Sequence, residues 1–94
     1  MGHDISGYKN GEEIAYLRRS AFNNLNSTIY NALNCNNYNN GCSGNGEETK
    51  FSKEQLLNGL SWLGDKEEFE PERLFLKDCL SNLDENDNVL IYFG

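Results

Sequence analysis

The segment Val89-Leu-Ile-Tyr-Phe93 is apolar on both of its alternating faces. A strand of that pattern is buried on two sides, and its backbone N–H and C=O groups must find partners. Any fold of this chain therefore has to place other strands beside it. Few residues suit that task, because only seven of the 94 are β-branched (four Ile, two Thr, one Val). The sheet is expected to be small. The segment His3-Asp-Ile-Ser-Gly-Tyr8 is the natural first neighbour. Two strands alone are marginal in water, so residues 47–51, or a second chain, are expected to add a third.

The rest of the chain reads mainly as helix. Tyr8-Lys-Asn-Gly11 is turn chemistry, with Asn10-Gly11 suited to positive φ. Ile14, Leu17, Ala21, Leu25, Ile29 and Leu33 then recur at helical spacing. This predicts a helix over residues 12–33, weakened or broken near Asn23–Asn26 by residues that prefer caps. Residues 34–50 have no hydrophobic period and read as a loop rich in Asn and Gly. A second helix has the best local signal. Ser52 and Gln55 stand at the spacing of a capping box, Phe51 and Leu56 at that of a hydrophobic staple, and Gly64 at the stop. Its expected buried face is Leu56, Leu57, Leu60 and Leu63. A third helix opens at Pro71 and buries Leu76, Cys79, Leu80 and Leu83, with Phe75 beside them. Residues 1–94 thus read as a single α+β domain, with three or four helices packed on a small two- or three-stranded sheet that contains both termini.

Charge divides the chain. The net charge is −7. Residues 1–46 hold three acids and three bases, so the whole excess lies in residues 47–94, while 11 of the 15 asparagines lie in residues 1–46. A general nucleic-acid binder needs a basic field, so direct nucleic-acid binding is not expected. No run approaches the ~20 apolar residues of a membrane span, and no basic-then-apolar leader is visible. Three cysteines (Cys35, Cys42, Cys79) are an odd number for a disulfide framework. The expectation is a cytoplasmic protein with free thiols, bound to neither membrane nor metal nor cofactor.

Four groups of residues could carry function. On the predicted first helix, Tyr16, Arg19, Ser20, Asn23, Ser27 and Tyr30 share one side. Tyrosine and arginine on an otherwise uncharged stripe suit recognition of a protein partner. The loop Gly41-Cys-Ser-Gly-Asn-Gly46 could present Ser43, Gly44 and Asn45 to a ligand, its backbone N–H groups cradling an anion. With His3, Asp4, Arg18 and Arg19 that loop would make a phosphate-binding site or a small enzyme, and Cys42 is a candidate nucleophile. The run Asp65-Lys-Glu-Glu-Phe-Glu-Pro-Glu72 could imitate a phosphate backbone, as an acidic inhibitor does. The leading expectation is a non-catalytic binding or regulatory module for a protein partner, with a homodimer through a sheet edge as a further expectation. The alternatives are the phosphate-binding protein or enzyme and the acidic mimic.

Overall fold

The computed structural model describes residues 2–20, 24–41 and 43–94. Asn10 and Gly11 both take positive φ, 53° and 82°, the sign combination of a type I′ hairpin turn. The turn sends the chain back along itself. Strand β1 (Gly2–Lys9) pairs antiparallel with β2 (Glu12–Ser20), from Gly2↔Ser20 to Lys9↔Glu12, with one shift of register after Gly7. The helix expected over residues 12–33 is therefore corrected: its first part is a strand, and α1 spans only Thr28–Ala32.

A β-bulge explains the helical look of this strand. Gly7 faces Ala15 and Tyr8 faces Glu13, which leaves Ile14 as an extra residue in β2. Ile14, Ala15 and Leu17 all pack toward the core. A bulge that brings Ile14 and Leu17 to one side creates a three-residue spacing inside a strand.

The remaining elements are β3 (Glu48–Ser52), α2 (Lys53–Leu63), α3 (Glu70–Ser81) and β4 (Asn88–Phe93), with short 3-10 turns at Asn36–Tyr38 and Glu67–Phe69. Among the described residues the class is α+β, with three α-helices and one antiparallel sheet in the order β2-β1-β4-β3. The sheet has four strands, not two or three. The hairpin supplies the strand that the expected helix had concealed. β4 lies between β1 and β3, which gives its apolar pattern the neighbours it requires.

Local chemistry sets the two longer helices. Ser52 Oγ accepts from the Gln55 backbone N–H at 3.2 Å, and Gln55 Oε1 accepts from the Ser52 N–H at 2.8 Å, which is the capping box. Gly64 closes α2 at φ +64°. The buried stripe of α2 is Leu56, Gly59 and Leu63. Leu57, expected inside, is half exposed, because it lies off the stripe that the three- and four-residue spacing of Leu56, Gly59 and Leu63 defines; Gly59 on that stripe sits close to Leu76 and Leu33. Helix α3 carries Pro71 in its first turn and buries Glu72, Phe75, Leu76 and Cys79. It crosses the sheet directly over Gly7, where a Cβ would lie 2.9 Å from Cys79 Sγ.

The helices cover one face of the sheet. Ile5, Ala15, Leu17, Phe51, Val89, Ile91 and Phe93 point into that layer and are buried. Side chains alternate along a strand, so the intervening residues form a second face that no described element covers.

Candidate functional site

Cross-strand partners share a face, so the register lays out the open face in rows. One row runs Tyr16, Ser6, Tyr92, Glu48. The next runs Glu13, Tyr8, Leu90, Lys50. Arg18 and Asp4 form the start of a third. Tyr16 is 53% exposed and Tyr92 38% exposed, while Ser6 between them is buried. Beside the second row, a shallow groove of about 330 Å³ lies among Tyr8, Lys9, Lys50, Asp87 and Leu90. Lys9 Nζ closes one side of it, 2.9 Å from Asp87 Oδ2.

Asp4 organises the first anchors. Its Oδ1 accepts from the Tyr16 hydroxyl at 2.5 Å and from Arg18 Nη1 at 2.8 Å. The Tyr16 hydroxyl, and then Arg18, hold the Asp4 carboxyl below the usual carboxylate range. In return the Asp4 carboxylate pushes the Tyr16 phenol upward. One carboxylate thus fixes the direction of a tyrosine and an arginine that both remain exposed.

The stripe expected on the first helix is not assembled. Tyr16 stands on the open face, whereas Arg19 points to the covered face. There Arg19 makes a two-point contact with Glu72: Nε to Oε2 at 2.8 Å and Nη2 to Oε1 at 2.7 Å. Its Nη2 also donates to the Glu68 carbonyl at 2.8 Å. Glu72 is fully buried, and its hydrogen bonds raise the Arg19 pKa. Tyr30 is likewise fully buried, in contact with His3 and Phe93 rings. Ser20 ends β2, and Ser27 precedes α1 without a side-chain cap bond. Asn23 lies outside the described residues. The physical reason is the period: residues that share a helix face diverge when the segment alternates as a strand. The same alternation would have grouped Ala15, Leu17 and Arg19 after the Asn10-Gly11 turn.

The phosphate-site constellation is divided in the same way. His3 and Asp4 are successive strand residues and take opposite faces. Asp4 meets Arg18 on the open side, and Arg19 is held by Glu72 on the other. His3 does meet the loop. It is buried, and its Nε2 donates to Asn39 Oδ1 at 3.2 Å, an oxygen that also accepts from the Gly41 N–H. His3 Nδ1 and the Tyr30 hydroxyl are buried without a hydrogen-bond partner among the described residues. The loop amides are committed inward. The Gly44 N–H donates to the Gly94 carbonyl and the Gly46 N–H to the Phe93 carbonyl, both at 2.8 Å. A Cβ on Gly44 would stand 2.6 Å from the Phe93 backbone, so glycine here serves close packing on β4. Ser43 Oγ donates to the Gly44 carbonyl, and the Asn45 side-chain oxygen accepts from the Glu47 N–H. Ser43 and Asn45 thus bond within the loop, and Gly44 docks it on the end of β4.

The thiols of Cys35 and Cys79 are buried, and burial pushes both up to about 12. Cys42 lies outside the described residues. Among the described residues no three His, Cys, Asp or Glu side chains gather into a metal-ligand set, and no helix is long and apolar enough to cross a membrane. The acids of residues 65–87 fall into separate groups. Glu72 pairs with Arg19 and Asp87 with Lys9. Asp65, Glu67, Glu68 and Glu70 precede or open α3, Asp78 lies within it, and Asp84 and Glu85 follow its other end.

No protein-family model matches the chain, and no curated protein or solved structure matches it either. The functional reading therefore rests on the site itself.

Proposed function

We propose that this protein is a small, non-catalytic recognition module that binds a protein partner through the open face of its sheet. The observation that carries this reading is the Asp4-centred arrangement of Tyr16 and Arg18. Tyrosine and arginine dominate protein-binding hot spots. Anchors already fixed in the free protein lose less conformational freedom on binding. Tyr92 and Tyr8 extend the platform across β4 and β1, and Leu90 gives it an apolar centre. Arg18 is compensated by Asp4, so the face does not present the uncompensated basic field that a nucleic acid requires.

A non-catalytic role is supported by the seclusion of the reactive groups. The sole histidine is buried behind Asn39 and Tyr30, and both described thiols are buried. A cytoplasmic setting is part of the proposal and accords with those free thiols. The test is affinity capture from the native cell extract with three baits: wild type, Tyr16→Ala/Tyr92→Ala, and Leu74→Ala on the outer side of α3. The expected result is a protein recovered by wild type and Leu74→Ala but lost with the double variant. Equal recovery by all three baits would reject the open face as the binding surface.

A further inference from the structure

We infer that the corner where α2 passes into α3 is a second docking surface, one that accepts an arginine-bearing basic segment of a protein partner on the ring of Trp62. Trp62, the only tryptophan in the chain, is 52% exposed although one side of its indole stacks on Phe69, with centroids 6.0 Å apart and planes 18° apart. About half of the Trp62 surface is thus left open to a further contact. An indole face is the best aromatic acceptor for a cation. The corner already uses this chemistry on the neighbouring ring, where Lys66 Nζ stands 5.5 Å from the Phe69 centroid.

Charge complementarity selects the occupant. Asp65, Glu67, Glu68 and Glu70 are all exposed in the turn that carries Phe69, and the whole chain is at −7. Such a field steers a basic segment inward and opposes an acidic one. Arginine is preferred to lysine, because a planar guanidinium stacks on the indole while its N–H groups reach the surrounding carboxylates. The turn is also held in shape beforehand. Arg19 Nη2 donates to the Glu68 carbonyl and Arg73 Nη1 to the Lys66 carbonyl, so the carboxylates are presented from a pinned backbone. This surface lies on the helix side, away from the open sheet face, and does not depend on that face binding anything.

The experiment titrates the whole protein with blocked peptides of alternating glycine and arginine, glycine and lysine, or glycine and glutamate. Trp62 emission serves as the signal, and calorimetry follows the variants. The arginine peptide is expected to give a saturable emission change and to bind roughly threefold tighter than the lysine peptide, with no response to the glutamate peptide. Trp62→Ala is expected to weaken arginine-peptide binding about tenfold. Glu67→Gln/Glu68→Gln is expected to weaken it about fivefold, and Tyr16→Ala to leave it unchanged. No saturable response, or equal affinity in wild type and in both corner variants, would overturn the inference. A loss on Tyr16→Ala matching that on Trp62→Ala would also overturn it. If circular dichroism shows that Trp62→Ala does not fold, the double Gln variant decides the matter alone.

Discussion

Arg18 and Arg19 are neighbours in β2, yet they serve opposite faces of one sheet. Arg19 enters the layer beneath α3 and meets a carboxylate with no exposure at all. Arg18 meets Asp4 at nearly the same N···O distance, 2.8 Å against 2.7 Å, but with both side chains in contact with water. The distances do not separate the two pairs. Solvent does. A surface pair is screened and contributes little, whereas breaking a pair whose carboxylate is fully buried and whose arginine is only 13% exposed strands a charge that water reaches poorly. The covered face is where this protein keeps its stability, and the open face is where it can afford contact groups.

The largest test of this contrast is Glu72→Ala. Removing the carboxylate leaves the Arg19 guanidinium beneath α3 without its partner, and the expected loss is about 3–5 kcal/mol of unfolding free energy, read from chemical denaturation. For a domain of this size, such a loss can approach the whole stability. A loss no larger than that of a surface substitution would erase the distinction between the faces. Next in size is Gly7→Ala. Its Cβ would stand 2.9 Å from Cys79 Sγ, so α3 would have to lift from the sheet, at about 1–3 kcal/mol. The same substitution should increase labelling of Cys79 by a thiol reagent, measured site by site by mass spectrometry. In wild type, burial and a thiol pushed up to about 12 keep Cys79 unreactive at neutral pH.

The contrast also explains how much of the molecule is legible in its sequence. Ser52 and Gln55 form their capping box within one helical turn, and Pro71 sits in the first turn of α3. These are local devices, and they identify α2 and α3 from spacing alone. β2 is different. Its partner strand and the Glu72 that receives Arg19 come from elsewhere in the chain, and the Ile14 bulge gives it the spacing of a helix. Asn10-Gly11 was the local clue to the hairpin, since two positive φ values in succession return a strand on itself. The candidate site was only partly visible for the same reason. Tyr16 stands out as an exposed tyrosine, but its companions Tyr92 and Tyr8 come through strand register, which no single segment encodes. Asn39, which receives His3, and the glycines that pack on Phe93 and Gly94 likewise depend on contacts across the chain.

Arg18→Ala should have a much smaller effect. The unfolding midpoint is expected to stay within measurement error of wild type at neutral pH, and any difference should shrink further in high salt. Partner capture should nevertheless fall, because Arg18 belongs to the proposed contact surface. A clear drop in stability would mean that the open face is structural, and would undo the comparison from its other side.

Acid provides the finest discrimination. The carboxyls of Asp4 and Asp87 are both depressed, the first chiefly by the Tyr16 hydroxyl and the second chiefly by Lys9. A carboxyl depressed in the folded state binds its proton more readily when the chain is unfolded. Its stabilising contribution is therefore fully present above the unfolded value of about 3.9, and is lost as pH falls through the lower, folded value. Stability should accordingly decline below about pH 4, with Asp4 and Asp87 each contributing a small part. Asp4→Asn removes one of these protonation steps. It should flatten the acid limb of a stability–pH curve measured by urea denaturation, while Arg18 and Tyr16 lose the charge that orients them at every pH. An unchanged acid limb in this variant would mean that Asp4 does not hold the open-face anchors in solution, and the pre-organisation credited to that face would have to come from elsewhere.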